Sequence, residues 1–443
     1  MSNKAKNTAM KNDGKPALTP KLRFPEFRDA AGEWKETSVD EISNTAIAGG
    51  TPSTSEKNFW GGEIRWMNSG ELNHKKVYEV QGRITVDGLK NSSTKVVPPR
   101  CVLIGLAGQG KTRGTVAMNM VELCTNQSIA AIFPNDLAFN SNFLYHNLDM
   151  RYEELRRLSA GGEGRGGLNL QIIKSLRVIL PTLPEQQKIA DCLTSVDKLI
   201  TAQARKVDAL KTHKKGLMQQ LFPREGETRP RLRFPEFQGA GEWEDVPLSK
   251  LVGSLDAGVS VNSGDRSATS GEIGVLKTSA VTNGIFEPQE NKVVFDEVEI
   301  GRVKESVQAD TIIISRMNTP ALVGASAYVE SSLENIFLPD RLWAAKSKPG
   351  TSMRFVAIIL GSNKGRAALS KLAKGSSGSM KNITKPDVLA FMIMAPSPTE
   401  QQRITDCLTS LDDIIAVQTQ KLGVLKTHKK GLMQQLFPSM EDA

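Results

Sequence analysis

Apolar side chains fall in a 4-3-4-3 rhythm over two long stretches of the chain. Ile189, Leu193, Val196, Ile200, Gln203, Val207, Leu210, Lys214, Leu217 and Leu221 keep the spacing in the first. Ile404, Leu408, Leu411, Ile415, Gln418, Leu422, Leu425, Lys429, Leu432 and Leu436 keep it in the second. A period of 3.5 residues sustained over more than four heptads predicts a coiled-coil seam rather than a helix resting on a globular core. Each helix is expected to run roughly 50 to 57 Å at 1.5 Å per residue. A stripe of that length needs a partner, and the other copy is the nearest one. Gln203, Lys214, Gln418 and Lys429 interrupt both stripes at matching places. Either they fix register and partner number at some cost in packing, or they face water where the helices fray near Gly216 and Gly431.

The two stripes belong to an internal repeat. Glu185 to Pro223 returns as Glu400 to Pro438, with 27 of 39 positions identical. A shared opener precedes each variable region: Lys21 to Phe27 (KLRFPEF) with Gly32-Glu33-Trp34, and Arg231 to Phe237 (RLRFPEF) with Gly241-Glu242-Trp243. Phe24, Phe27 and Trp34, with their copies Phe234, Phe237 and Trp243, are expected to anchor each domain's first strand to its core. Between the shared segments the halves look different, apart from fragments such as GEIRWMNSGEL beside GEIGVLKTSAV. Two modules on one frame, tuned to different targets, fit this plan. A compact domain brings its chain ends close together, so the second helix should start where the first stops and run antiparallel to it. That places the variable domains at opposite ends of a rigid spacer, about a pseudo-twofold axis.

GLAGQGKTRG, residues 105 to 114, has the G-x-x-x-x-G-K-T spacing of a phosphate-cradling loop. Such a loop opens a helix whose N-terminus faces the phosphates. Here Cys101 to Ile104 reads as a strand, but Gly114-Thr115-Val116-Ala117-Met118 favours another strand. The matching stretch of the second half, Thr311 to Val329, also runs strand, loop, strand, with SRMNTP in the loop. The two loops share exposed polar display: Gln109, Lys111, Thr112 and Arg113 in one, Arg316, Asn318 and Thr319 in the other. Arg and Lys suit guanine edges and Gln and Asn suit adenine, so these are base-reading candidates; solvated hairpin tips are the other reading. Glycine-rich stretches around Arg165 and before Lys381 either lay backbone N–H groups and basic side chains on phosphates or serve as plain linkers.

Composition narrows the classes. The chain has 443 residues, a formal charge of +9 and a pI near 9.2, which favours a polyanionic partner, in practice nucleic acid; a merely basic surface is the other reading. Four cysteines without CxxC spacing and four histidines supply neither a disulfide framework nor a zinc site. No stretch reaches the apolar length of a membrane span or a signal peptide, so the cytoplasm, at the nucleoid, is the expected location.

LRFPEF, GGTPSTSEKNFWGGEIRWMN from Gly49, LAGQGKTRG, TNQSIAAI from Thr125 and GGLNLQIIKSLRVILPTLPEQQKIA from Gly166, with their second-half counterparts, closely resemble the specificity subunits of type I restriction-modification systems. The resemblance implies a mixed α/β fold with two strand-rich target recognition domains joined by two long helices in an antiparallel intramolecular coiled coil. Together with the repeat, this gives an expected plan of a disordered basic tail over 1–20, recognition domains over 21–183 and 224–397, helical regions over 184–223 and 398–438, and a tail over 439–443. The resemblance also implies a non-catalytic subunit that reads an asymmetric bipartite sequence in double-stranded DNA. Two copies of an adenine methyltransferase subunit and a motor-nuclease subunit would be its partners. S-adenosylmethionine, ATP and Mg would sit on those partners and none on this chain, which has no Asn-Pro-Pro-Tyr or Asp-Pro-Pro-Tyr stretch to hold a flipped adenine. Two other readings stay open: a phosphate-loop ATP-binding enzyme and a structural coiled-coil scaffold.

Overall fold

The computed structural model describes residues 19–28, 34–108, 110–158, 167–374 and 380–438. The expected tails over 1–20 and 439–443, apart from Thr19 and Pro20, lie outside them. The chain divides into two compact units, one of residues 1–206 with 418–443 and one of residues 207–417. Each long helix, Leu183–Leu221 and Pro398–Leu436, therefore contributes one end to each unit. At 39 residues each would measure about 58 Å.

The first unit contains strands β1 (Lys35–Ser38), β2 (Ala46–Ala48), β3 (Trp60–Met67), β4 (Lys76–Val77), β5 (Gly82–Ile84), β6 (Val96–Val97), β7 (Val102–Gly105), β8 (Val116–Asn119), β9 (Leu123–Thr125), β10 (Ile129–Ile132) and β11 (Arg177–Leu180). They form a sheet of order β2-β10-β7-β8-β4, a second of order β5-β3-β9-β6, and the pair β1-β11. The second unit contains β12 (Glu244–Pro247), β13 (Val252–Ala257), β14 (Gly274–Leu276), β15 (Asn291–Val293), β16 (Ser306–Val307), β17 (Thr311–Ser315), β18 (Met317–Asn318), β19 (Ser326–Val329), β20 (Leu333–Phe337), β21 (Leu342–Ser347), β22 (Lys381–Asn382) and β23 (Met392–Ala395). Here the orders are β13-β21-β17-β19 and β15-β14-β20-β16, with the pairs β12-β23 and β18-β22. Strand for strand the two orders correspond. The repeat extends through regions whose sequences look unrelated, with β4 added in the first unit and the ribbon β18-β22 in the second.

Alternation explains the layers. Val102, Ile104, Val116, Met118, Ala130 and Ile132 face one way, onto Phe143, Leu144 and Leu148 of helix Ser141–Met150. Leu103, Ala117, Ile129 and Ala131 face the other way, onto Met67 and Leu123 of the neighbouring sheet. A strand buried on both faces reads as a continuous apolar run, as VLI and IAAI do. In the second unit Ile312, Ile314, Trp343 and Ala345 meet Met353, Val356 and Leu360 of helix Met353–Gly361. Ile313, Ala327 and Ala344 meet Leu276 and Val307. Cys101 and Cys124 are buried, and burial pushes their thiols up to about 12 and about 11.

Inside each unit the two helix segments run antiparallel. In the first, Gln203 Nε2 donates to the carbonyl and the Oε1 of Gln418 at 2.9 and 3.0 Å, and Lys429 Nζ lies 2.7 Å from Asp197 Oδ1. In the second, Lys214 Nζ lies 2.5 Å from Asp412 Oδ1. All four polar seam residues are thus engaged across the seam rather than turned to water. The remaining seam side chains are buried or half-buried: Ile189, Leu193, Val207, Leu221, Ile404, Leu408 and Leu436 fully, and Val196, Ile200, Leu210, Leu217, Leu411, Ile415, Leu422, Leu425 and Leu432 in part.

The repeated opener is a clasp on the helix start. Arg23 Nε and Nη2 each donate at 2.7 Å to the carboxylate of Glu185, which is only 1 % exposed. Arg233 forks Glu400 at 2.7 and 2.6 Å in the same way. Glu26 pairs with Lys188 and Glu236 with Arg403, while Leu22 N and Leu232 N donate to the carbonyls of Gln435 and Gln220. Trp34 packs on Phe143 in the first core, and Trp243 on Phe222 and Phe355 in the second. Truncating one partner of such a buried ion pair strands the other charge and costs about 3–5 kcal/mol. No helix among the described residues is long and apolar enough to cross a membrane.

Candidate nucleic-acid interface

The phosphate-loop look-alike is a hairpin connection. β7 leads through residues 106–115 into β8, and β17 leads through 316–325 into β19, so both connections hold ten residues. A strand follows Lys111 where a nucleotide-binding helix would have to start.

The two loops are closed by the same hydrogen bonds at a constant offset of 210 residues. Gly105 N donates to Thr115 O at 3.0 Å, as Ser315 N does to Ala325 O at 2.7 Å. Gly114 N returns to Gly105 O at 2.9 Å, as Gly324 N does to Ser315 O at 2.8 Å. Thr115 N and Ala325 N donate to Thr112 O and Leu322 O, both at 3.1 Å. Gly114 at φ +79° and Gly324 at φ +77° occupy the left-handed region that the closing turn demands. A Cβ on either would press on the helix beneath, at 3.3 Å from Leu155 and 2.8 Å from Leu369.

What differs is the display. On the first loop Lys111 is exposed, while Thr112 and Arg113 are half-buried; Gln109 lies outside the described residues. At the offset of 210, Arg316 takes the place of the buried Leu106. Its backbone is held by Arg341 O at 3.0 Å and by Ile383 N at 2.9 Å. Its guanidinium sits 5.9 Å from the Trp343 ring centroid, with Nη2 3.7 Å from Asp340 Oδ2. Asn318 Nδ2 reaches Ser315 Oγ at 3.3 Å, and Asn318 Oδ1 accepts from Thr319 N at 2.9 Å, which leaves Thr319 exposed.

The β18-β22 ribbon joins two sequence-distant candidates, because Asn318 and Lys381 are cross-strand partners. Arg316, Asn318, Thr319 and Lys381 thus converge on one corner of the second unit. In the first unit the glycine-rich stretch ends at Gly167, against the carbonyl of Leu106. Arg165 and most of that stretch, like residues 375–379 of its counterpart, lie outside the described residues.

Several side chains at these corners escaped sequence reading. Tyr152 Oη donates to Lys111 O at 3.2 Å and accepts from Arg156 Nη1 at 3.1 Å, with the guanidinium carbon 5.7 Å from the ring centroid. Asp340 and Trp343 frame Arg316. These groups reach the loops from a neighbouring helix and strand, and no spacing along the chain announces them.

The profile of the type I restriction modification DNA specificity domain matches residues 31–212 and again 241–427. Among curated relatives, the type I restriction enzyme MjaIX specificity subunit of Methanocaldococcus jannaschii is 31% identical over 183 residues, 40% of this chain and 41% of that protein. The EcoR124I/EcoR124II specificity subunit of Escherichia coli is 26% identical over 39% of this chain and 43% of that protein. The MjaVIII specificity subunit of M. jannaschii is 23% identical over 79% and 83%. The chain therefore spans about two fifths of the first two and about four fifths of the third. Of solved structures, a type I restriction-modification S subunit from M. genitalium superposes with a TM-score of 0.60 at 15% identity, over 96% of this chain and 100% of that one. A chain from a study of type I restriction-modification complex assembly gives 0.52 at 15% identity, over 92% and 98%. These two likenesses carry the fold.

Proposed function

Since the chain belongs to the type I restriction-modification DNA specificity family, carrying that domain twice, we propose that it is the non-catalytic subunit that reads the target sequence for such a complex. Each unit reads one half of an asymmetric bipartite site in double-stranded DNA. The helices set the unread spacer and hold two adenine methyltransferase subunits. S-adenosylmethionine, ATP and Mg act on those partners and on a motor-nuclease subunit, and the complex works where the DNA is, at the nucleoid.

One observation carries this reading: the two hairpin loops share a frame bond for bond yet present different side chains. A catalytic loop would keep its reactive groups in both copies. A loop that discriminates among bases keeps its support and changes its tips, as the exposed Lys111 and Ala321 do at one frame position. An Arg or Lys contact to a guanine edge is worth about 1–3 kcal/mol of discrimination.

The test is half-site methylation by the assembled complex. Arg316→Ala should relax the second half-site by about five- to a hundredfold and leave the first intact, and Lys111→Ala should do the reverse. Uniform loss across all sequences would make these side chains phosphate contacts, and no change with either variant would contradict the assignment of the loops.

A further inference from the structure

Resting on the reading of these loops as base contacts, we propose that Tyr152 and Arg366 are positioning residues, each fixing the backbone of its unit's reading loop from the helix beneath and so setting half-site discrimination. Tyr152 opens helix Tyr152–Leu158 and donates to Lys111 O at 3.2 Å. Arg366 lies in helix Asn363–Lys371 and donates from Nη2 to Ala321 O at 3.2 Å. Lys111 and Ala321 are the same frame position, 210 residues apart, as the hairpin bonds establish. Tyr152 and Arg366 likewise stand three residues before Leu155 and Leu369, the side chains that meet Gly114 and Gly324. Two unlike side chains thus deliver a donor to one equivalent carbonyl.

That carbonyl is a sensible place to hold a loop. In the first unit Thr115 Oγ1 also donates to Lys111 O at 2.6 Å, so the peptide after Lys111 is pinned from both the strand and the helix. In the second unit Ser370 Oγ takes the adjoining Pro320 O at 3.0 Å, and Arg366 Nη1 reaches Thr282 O at 3.4 Å. A loop fixed at its carbonyls presents Lys111 and Arg113, or Asn318 and Thr319, at a set height over a base edge. Since a readout contact depends on geometry within a fraction of an ångström, loosening the support blurs discrimination before it costs affinity. Tyr152 and Arg366 need not touch DNA for this.

Tyr152→Phe keeps the ring beside Arg156 and removes the hydroxyl, with the bond it donates to Lys111 O and the one it accepts from Arg156 Nη1. Arg366→Lys keeps the charge and loses the fork that spans two carbonyls. Assembled complexes would be assayed for methyl transfer to duplexes carrying the methylated motif and its single-base variants, alongside their melting temperatures. Tyr152→Phe should lower the kcat/KM ratio of cognate to variant at the first half-site by about three- to tenfold, with the second half-site and the melting temperature unchanged. Arg366→Lys should give the mirror result. Wild-type discrimination at both half-sites, or an equal loss at both, would overturn the proposal. Lys111→Ala and Arg316→Ala in the same assay separate the two claims. If they shift discrimination while Tyr152→Phe and Arg366→Lys do not, only the positioning role falls. If none of the four does, the loops do not read DNA.

Discussion

His146 shows what a single position does differently in the two units. Counted from the helix N-caps, Asn140 and Ser352, it takes the place of Ile358. It is fully buried, with Nε2 3.5 Å from Thr194 Oγ1 and Nδ1 3.9 Å from Asp197 Oδ2. Burial first, then the charges of Lys429 and Lys76, holds its pKa well below the ordinary value of 6.5. The folded chain therefore keeps this ring neutral, while the unfolded chain takes up a proton below about pH 6.5. Stability is fully present above that pH and falls as pH drops through it, by up to about 1.4 kcal/mol per pH unit from this group. His146→Ile should flatten that part of the slope, read as the difference between variant and wild type in urea unfolding from pH 7 to pH 5. Parallel slopes would show that the ring is protonated in the fold. At this scale the seam was legible, because Gln203 and Lys429 break a periodic run and so stand out. The pairing of Asn318 with Lys381, 63 residues away, was not, because a two-residue ribbon leaves no period to read.

The long helices were the most readable elements, since each repeats one local rule for 39 residues. The Arg23–Glu185 clasp was visible only as a doubled motif: LRFPEF and PEQQ each recur, and nothing in either string says that they touch. The hairpins were half legible. Their apolar strands identified them as strands and argued against a nucleotide site, but the helix supporting each loop had to be seen. The helices also carry a ruler prediction. Deleting residues 200–206 and 420–426 removes one heptad from each helix at facing positions and keeps the seam in phase. It takes out about 10 Å of helix, which corresponds to roughly three base pairs of duplex. Methylated sites should then show a spacer shortened by about that amount, with both half-sites unchanged. An unaltered spacer in an active complex would remove the helices from that role.

At the scale of the whole chain, the repeat is deeper than its sequence identity. Twenty-seven of 39 positions agree in the shared helical segment, yet the sheets of both units follow one strand order where almost no identity survives. The reason is physical. A strand buried on both faces requires apolar residues without specifying which, so VLI and TIII serve alike, and pairing across distant strands leaves no local signature. Loop tips outside the core are freer still, which is how one frame can hold two specificities. The central claim is that this chain chooses the DNA sequence its partners modify. Its most direct measurement is genome-wide adenine methylation by single-molecule sequencing, in the host with and without the gene. The account predicts loss of one bipartite methylated motif, with two defined halves and a fixed gap, and its return when the gene is restored. An unchanged methylome in cells whose methyltransferase partner is active would contradict it.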